Sequence, residues 1–287
     1  MPAPEPLDLL FQGDERVIGA YLLETDAGPA LFDCGPSTCV PRLKEALGER
    51  GLELQDVRHL LLSHIHLDHA GAAGVLVREH PELRVHVSEA GAPHLVDPSR
   101  LERSARRLYG ETFDPLWGEL APVPEANVEV AAERVAGLDC FPSPGHASHH
   151  VSYVGPDGTL YAGDAAGVRI QPASVVIPPT PPPDFDLEAW ERTIDELEGR
   201  APERLALIHF GVATDVERHL AELRRRLADW AKLVRDGADE ATFLAAVRAQ
   251  LEKADSDALP TYEHAMPFWQ SYLGLKRYWE KRAIASP

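Results

Sequence analysis

The chain has 287 residues, 44% of them hydrophobic, with 28 Lys plus Arg against 46 Asp plus Glu and a formal net charge of −18. This length can bury a large core, and the acidic balance disfavours a nucleic-acid partner because it repels phosphate backbones. The three cysteines do not suggest a disulfide framework, and we find neither a basic, apolar leader nor a membrane-length apolar run. We therefore expect a cytoplasmic protein with no membrane partner.

The first two thirds of the chain alternate predicted strands and helices. Alternating or apolar runs, with turn residues at 26–29 and 155–158, predict strands within residues 17–35, 57–63, 83–89, 149–164 and 204–211. Apolar spacing of three and four predicts helices over residues 40–51, 70–81 and 187–199. Residues 91–125 are predicted to form helices and loops interrupted by prolines, and residues 177–186 are predicted to form a proline-rich loop.

The character of the sequence changes after residue 213. Apolar residues then recur at intervals of four and three along one helical stripe: Val216, Leu220, Leu223, Leu227, Trp230 and Val234. A second helix is predicted around 243–251 and a third, rich in aromatic residues, within 265–282. We therefore divide the chain into a strand-rich unit, 1–213, and a helical C-terminal extension, 214–287, that packs on it.

The residues that carry chemistry begin in "SHIHLDHAGAAG", residues 63–74. His64, His66, Asp68 and His69 follow a predicted buried strand and precede small residues. Side chains alternate along a strand, so a terminal His-x-His would direct both imidazoles to one side. Imidazole nitrogens and carboxylate oxygens are common ligands of Zn²⁺. The cluster can therefore serve one metal site or half of two.

Three more candidate ligands follow later strands. His146 lies in "SPGH", Asp164 in "YAGD" and His209 in "LIHFG", each at or just after the end of a predicted strand. A buried sheet can bring such ends to one edge. Three imidazoles on one ion, two imidazoles and a carboxylate on the other, and Asp164 between them would make a dinuclear site.

The ordered set "HIHLDH", "PGH", "GD" and "HFG" resembles the metallo-β-lactamase superfamily over residues 17–211. "LFDCG", which contains Asp33, is similar to the first motif of that family. The resemblance implies an α/β fold, a four-layer αββα sandwich with metals at one edge between the two sheets. It implies that His64, His66 and His146 hold one metal, that Asp68, His69 and His209 hold the other, and that Asp164 bridges them. Asp33 would orient a ligand from outside the site.

The activity implied by this resemblance is hydrolysis by a dinuclear metal site. The cofactors would be two divalent ions, zinc first and iron or manganese as alternatives, and a hydroxide bridging them would attack a small ester, thioester or lactone. Asp68 would ligate and also orient the proton of the water. An aspartate at the bridging position argues against antibiotic hydrolysis, because many β-lactamases of the family carry cysteine or serine there.

Other members of the family leave alternatives open. A phosphodiesterase would use the same ligands, and a persulfide dioxygenase uses the early motif with a single iron. A non-catalytic metal-binding scaffold is the alternative that an intact ligand set favours least. The glutathione-binding pattern of hydroxyacylglutathione hydrolases and the tyrosine that lactonases place after the bridging aspartate are not apparent here. Which small molecule of the ester, thioester or lactone class is the substrate is therefore left open.

Substrate contacts are assigned from position alone. Arg169, five residues after Asp164, can hold an anionic substrate, and His94 and His149 can face the pocket. His150 is assigned a structural role. Residues 91–111 and the C-terminal helices lie outside the metal-bearing segments, so we predict that they roof the pocket and select the substrate. Whether the chain forms a homodimer stays open.

Overall fold

The computed structural model describes residues 3–285 of the chain. Its strands form two six-stranded sheets whose order follows the chain. The first sheet contains β1 Pro6–Asp8, β2 Gly19–Thr25, β3 Gly28–Phe32, β4 His59–Leu61, β5 Arg84–Val87 and β6 Val128–Val130. The second contains β7 Arg134–Val135, β8 Leu138–Pro142, β9 Val151–Val154, β10 Thr159–Tyr161, β11 Arg204–Leu207 and β12 Gly211–Ala213.

Both sheets are mixed, as their connections require. Strands joined by tight turns pair antiparallel, such as β2 with β3 and β9 with β10, and this confirms both predicted hairpins. Strands joined through a helix pair parallel, namely β3–β4, β4–β5 and β10–β11, while β5 and β6 pair parallel across the longer segment 88–127. Parallel pairing brings the carboxyl ends of these strands to the same edge, and the chemistry collects at that edge.

Helices cover the outer face of each sheet. The α-helices of the described residues are α1 Val40–Glu49, α2 Leu67–Ala70, α3 Ala73–Glu79, α4 Ala92–Val96, α5 Ser99–Tyr109, α6 Phe113–Trp117, α7 Leu187–Gly199, α8 Val216–Arg235, α9 Glu240–Asp255, α10 Leu259–Ala265 and α11 Phe268–Ala285. Buried residues of α1 and α3 join the core of the first sheet, and those of α7 to α11 join the core on the far side of the second. The predicted four-layer αββα sandwich with C-terminal helices is confirmed.

Aromatic side chains fill the space between the two sheets. Phe32 from the first sheet packs against Tyr153 and Tyr161 of the second, with ring centroids 5.9 and 5.5 Å apart. The Tyr21 hydroxyl lies within hydrogen-bond distance of the backbone oxygens of Leu207 (2.9 Å) and Gly211 (3.0 Å) across the gap. These contacts fix the position of one sheet against the other, close to the end of β11.

The predicted apolar stripe of the C-terminal segment is confirmed in α8, which buries Leu220, Leu223, Leu227, Trp230 and Val234. These side chains share one core with strand residues such as Leu160 and Leu205. The C-terminal helices therefore pack on the second sheet, although the boundary after residue 213 itself stays a prediction. Among residues 3–285, no helix combines the length and apolar content that a bilayer crossing requires.

Candidate metal centre

The predicted ligands lie together where strands of both sheets end. Asp33 follows β3 and residues 63–69 follow β4, so one half of the cluster comes from the first sheet. His146 lies between β8 and β9, Asp164 follows β10, and His209 follows β11, so the second sheet supplies the other half. The structure thus brings all seven predicted ligands and Asp33 to one edge of the sandwich.

The local geometry of the His-x-His segment differs from the prediction. The alternation argument is wrong, because β4 ends at Leu61 and both His64 and His66 lie in a loop. The chain leaves the sheet because the Ser63 amide donates to the Asp33 carboxylate (2.7 Å) instead of to a neighbouring strand. The Ser63 carbonyl accepts from the Val151 amide (2.8 Å) of the second sheet. Contacts of Ser63 with both sheets, rather than strand alternation, therefore set the path of the chain into this segment.

Three imidazoles form the first group of candidate ligands, His64, His66 and His146. Their facing nitrogens are close to one another: His66 Nδ1 lies 2.9 Å from both His64 Nε2 and His146 Nε2, which are themselves 3.2 Å apart. Ligand nitrogens that share one zinc ion, each about 2.0–2.1 Å from it, stand on the order of 3 Å apart. The separations therefore suit a shared cation.

The outer nitrogens of this group fix which ring atom carries a proton. His146 Nδ1 donates to the Pro179 carbonyl (2.8 Å), which leaves a lone pair on Nε2 when the ring is neutral. The Ser63 hydroxyl donates to Asp33 (2.7 Å) and so accepts from His64 Nδ1 (2.9 Å). His64 and His146 thus aim two lone pairs at each other without a proton between them. Two lone pairs directed at one point suit a shared cation.

The second group contains Asp68, His69 and His209. His69 Nδ1 donates to Asp33 (2.8 Å) and His209 Nδ1 donates to the Val17 carbonyl (2.6 Å), so both Nε2 atoms turn inward. His69 Nε2 lies 3.6 Å and His209 Nε2 lies 3.4 Å from the same carboxylate oxygen of Asp68. These three ligand atoms lie within 4.8 Å of one another.

Asp164 stands between the two groups and faces both. Its Oδ2 lies 3.4 Å from His146 Nε2 in the first group, and its Oδ1 lies 3.4 Å from His69 Nε2 and 3.7 Å from His209 Nε2 in the second. Five buried side-chain atoms of the described residues have no hydrogen-bond partner, and two of them, Asp164 Oδ1 and His69 Nε2, face each other here at 3.4 Å. Buried polar atoms without partners are costly, so this donor set fits a divalent cation.

The two groups differ in their electrostatics. Burial and the neighbouring imidazoles hold the pKa of His64 and of His66 well below the usual value. Burial also disfavours a charged His69, but the carboxylates of Asp164 and Asp68 outweigh it and hold the His69 pKa well above the usual value. Burial opposes ionisation of Asp68, yet His69 and His209 lower its pKa to about 2. The second group therefore concentrates negative charge that a cation would balance.

The segment that carries Asp164 is held by several parts of the fold. Gly163 has φ +48°, and a Cβ there would stand 2.6 Å from Ser63 Cβ, so only glycine fits. Trp190 Nε1 of α7 donates to the Ala165 carbonyl and His219 Nε2 of α8 donates to the Ala166 carbonyl, each at 2.8 Å. The predicted extension thus contributes, through α8, to positioning the candidate ligand Asp164.

Asp33 is the buried residue that links the two groups of candidate ligands, because it contacts His69 directly and His64 through the Ser63 hydroxyl. Replacing it with asparagine keeps the side-chain shape and suits its φ of +55°, but removes the charge that holds His69 Nδ1. We expect Asp33→Asn to weaken metal binding about 10- to 100-fold, measured by competition with a chromophoric chelator. Asp139→Asn, at an exposed position in β8, is the control. Equal metal affinity in both variants would contradict the role of Asp33.

A cavity of about 660 Å³ opens onto the ligands. His94 and His149, both predicted to face the pocket, line this cavity, as do residues of α5 and α11. Arg169 does not: its Nη1 pairs with Asp215 Oδ1 at 2.5 Å and its Nε donates to the Ala173 carbonyl. The guanidinium therefore fixes the start of α8 instead of facing a substrate. His150 donates or accepts at Ser143 Oγ (2.8 Å), in keeping with its assigned structural role.

Sequence reasoning missed several residues of this site. Ser63 joins Asp33 to His64, and the carbonyls of Val17 and Pro179 orient two further imidazoles. Backbone carbonyls leave no signal in a sequence. Tyr109 lines the cavity from within the segment predicted to form the roof, but nothing in the local pattern distinguishes it from the other aromatic residues.

Comparison with known proteins gives consistent fold matches. TTHA1429 from Thermus thermophilus, a metallo-beta-lactamase family protein, is 23% identical with a TM-score of 0.66, covering 98% of this chain and 93% of that one. ST1585 from Sulfolobus tokodaii is 20% identical with a TM-score of 0.63, covering 77% and 84%. At these identities the likeness shows the fold. TTHA1623, solved in a di-iron-bound form, is 25% identical with a TM-score of 0.54, covering 71% and 91%.

Sequence comparison places the chain in a family. YobT of Bacillus subtilis (strain 168), an uncharacterized protein, is 27% identical over 156 residues, which are 53% of this chain and 63% of YobT. The chain thus spans under two thirds of the length of that relative. The family model described as "Metallo-beta-lactamase superfamily" matches residues 13–209, more than half of the chain. The chain belongs to the metallo-beta-lactamase superfamily, whose members are generally hydrolytic metalloenzymes that bind divalent metals.

Proposed function

We propose that this protein is a dinuclear metal-dependent hydrolase that cleaves a small ester, thioester or lactone. The observation that carries the proposal is Asp164, whose two carboxylate oxygens face different groups of inward-turned imidazoles. A carboxylate in that position is suited to hold two cations side by side. Bound cations supply Lewis acidity and make hydroxide available near neutral pH by lowering the pKa of water from about 15.7 to about 7.

The protein itself contributes the handling of the proton and of the substrate. Asp68 is the only carboxylate of the ligand set that is half-buried, and it also lines the cavity. Its carboxylate is therefore placed to accept a proton from an attacking water at the cavity floor. His66 shares this half-buried position, whereas His64, His69, His146 and His209 are buried. The reacting carbonyl would thus approach from the side of Asp68 and His66.

Metal analysis combined with a substrate panel tests the proposal. Two zinc or manganese ions per chain and turnover of esters, thioesters or lactones would support it. Turnover restricted to phosphodiesters would replace it with the phosphodiesterase alternative. One iron per chain with oxygen consumption would replace it with the dioxygenase, and full metal occupancy without turnover of any substrate would favour the scaffold.

Tyr109, the last residue of α5, is placed to assist this chemistry. It lines the cavity, and its hydroxyl oxygen accepts a hydrogen bond from Gln270 Nε2 of α11 at 3.0 Å. No acceptor for its own proton is found among residues 3–285. Burial, with a further contribution from the Asp68 carboxylate, raises the pKa of Tyr109, so the phenol keeps its proton. We infer that it donates this proton in a hydrogen bond to the substrate carbonyl oxygen.

Tyr109→Phe tests this inference by removing only the hydroxyl. Loss of one donor to a developing oxyanion lowers kcat by 10²–10³ in well-aligned sites. The alignment of Tyr109 depends on Gln270, which belongs to a separate helix, so we expect a smaller effect here, a fall in kcat of at least tenfold. KM should change less than kcat. Tyr272→Phe, a hydroxyl removed from α11 outside the cavity lining, is the matched control. A Tyr109→Phe enzyme with the kcat of this control would refute the assignment.

A further inference from the structure

The mouth of the cavity carries three arginines. Arg100 and Arg107 stand two turns apart on α5, and Arg277 stands on α11; all three are exposed and line the cavity. Within residues 3–285, none of their guanidinium groups makes a hydrogen bond or an ion pair. Arginine commonly binds carboxylates and phosphates through paired N–H donors, so three such groups around one opening leave many donors unused.

Within residues 3–285, the arginines outside the cavity lining make a hydrogen bond or an ion pair, with two exceptions, Arg103 and Arg192. Arg106, also on α5, bonds to Glu102 at 2.8 Å and to Asp114 at 2.7 Å. Acidic residues outnumber basic ones by 46 to 28 in this chain, so carboxylate partners are plentiful. Of the described residues that line the cavity, Asp184 is the only carboxylate outside the metal-ligand set. The cationic mouth is therefore a local departure from a strongly acidic molecule.

Apolar side chains occupy the wall between the mouth and the ligands. On α5 the same face that bears the arginines presents Leu101, Ala105 and Leu108 to the cavity. Trp117 and Met266 line it as well. The volume of about 660 Å³ is that of a pocket for a drug-sized molecule. The cavity thus combines a buried polar floor, an apolar wall and an exposed cationic rim.

We propose that the substrate is an acyl ester or thioester that carries an anionic group, phosphate or carboxylate, bound by Arg100, Arg107 and Arg277. This inference rests on the proposed function. The carbonyl carbon lies at the metal-ligand floor, the apolar part lies along Leu101, Ala105 and Leu108, and the anionic group reaches the mouth. Hydrolysis adds the elements of water across the acyl bond, giving a carboxylic acid and the anionic thiol or alcohol.

The arginines also offset the repulsion between an anionic substrate and the negative net charge of the protein. A net charge of −18 repels an anion at long range. The repulsion is screened beyond about 8–10 Å in physiological salt, so charges at the mouth decide whether an anion enters. Binding of the anionic substrate should accordingly weaken as salt concentration rises, whereas binding of an uncharged analogue should change little.

Three thioesters with one acyl chain distinguish the sources of the anion. S-octanoyl coenzyme A carries phosphates, S-octanoylglutathione carries carboxylates, and S-octanoyl-N-acetylcysteamine carries no charge. In the metal-loaded protein we expect kcat/KM for at least one anionic thioester to exceed that for the neutral one, mainly through KM. The anion that gives the larger ratio identifies the source.

The variant that tests the site is the triple substitution Arg100→Gln, Arg107→Gln and Arg277→Gln. Each exposed ion pair strengthens binding by about a few-fold. We therefore expect the ratio of kcat/KM for the anionic thioester to kcat/KM for the neutral one to fall roughly tenfold in the triple variant. Because the ratio compares two substrates on one preparation, any loss of folded protein cancels. Arg192→Gln on α7, which contributes no residue to the cavity, removes one positive charge elsewhere and should retain the ratio of the unmodified protein.

The outcomes separate this inference from the proposed function. An unchanged ratio in the triple variant, or no preference for either anionic thioester, overturns the anion site while hydrolysis stands. If no thioester is hydrolysed, calorimetry with the unreactive thioethers S-octyl coenzyme A and S-octylglutathione still decides the inference. Binding of either one that the triple variant loses supports the site, and absence of binding to both overturns it.

Discussion

Asp164→Ala is expected to reduce the bound metal from two ions toward one per chain and to lower kcat by a factor on the order of 10² or more. Asp164 is the residue whose oxygens face both ligand groups, so its loss leaves His69 and His209 with Asp68 as the remaining carboxylate. Metal content by mass spectrometry and turnover of the best ester substrate measure the two effects.

The stability of the Asp164→Ala protein should change less than its metal content. The segment around it is held by backbone contacts with Trp190 and His219, which the substitution leaves in place. Asp139→Ala, at an exposed carboxylate on β8, is the control and should keep both metal content and rate. Normal metal content and rate in Asp164→Ala would remove the basis of the dinuclear proposal.

Gly274→Ala is expected to destabilise the protein strongly. Gly274 lies within α11, and a methyl group there would overlap the Thr180 carbonyl oxygen and the Pro181 backbone. Overpacking of this kind costs about 1–3 kcal/mol, occasionally more, which lowers the unfolding temperature by roughly 2–4 °C per kcal/mol in a chain of this size class. Thermal unfolding followed by circular dichroism measures the effect.

The same substitution should weaken metal binding. Pro179, whose carbonyl orients His146, directly precedes Thr180, and Thr180 bonds to Ser271 of α11. Gly48→Ala is the matched control, since Gly48 also lies in a helix, α1, but has no atom within 4 Å of its added Cβ. That change should be neutral or stabilising by a few tenths to about 1 kcal/mol. Similar unfolding temperatures for the two variants would contradict the close packing of α11.

Sequence reasoning went furthest where local pattern determines structure. The hairpin around Asp26, the hairpin around Asp157 and the apolar stripe of α8 depend on turn residues and on residue spacing, and the structure confirms all three. The fold class followed from the ordered His and Asp motifs, and the family match confirms it. The proximity of the candidate ligands is likewise what that resemblance implied.

The remaining features depend on contacts between distant segments. His64 and His66 lie outside the strand because the Ser63 amide donates a hydrogen bond to Asp33, thirty residues earlier in the chain. No local sequence pattern reveals this contact. Arg169 was expected to bind the substrate, but its guanidinium forms an ion pair with Asp215, 46 residues away in the chain. Conversely, the lack of partners for Arg107 and Arg277 becomes evident only when every carboxylate of residues 3–285 has been placed.

The division of the ligand set between the two sheets has a thermodynamic consequence. His64, His66, Asp68 and His69 follow a strand of the first sheet, whereas His146, Asp164 and His209 belong to the second. A cation held by ligands from both sheets would bind the native state, in which the two sheets are packed together, and not the unfolded chain. By mass action, the free energy of unfolding then rises with the logarithm of the free metal concentration. If the candidate site binds a metal as proposed, we expect the lifetime of this protein in a cell to depend on the supply of that metal.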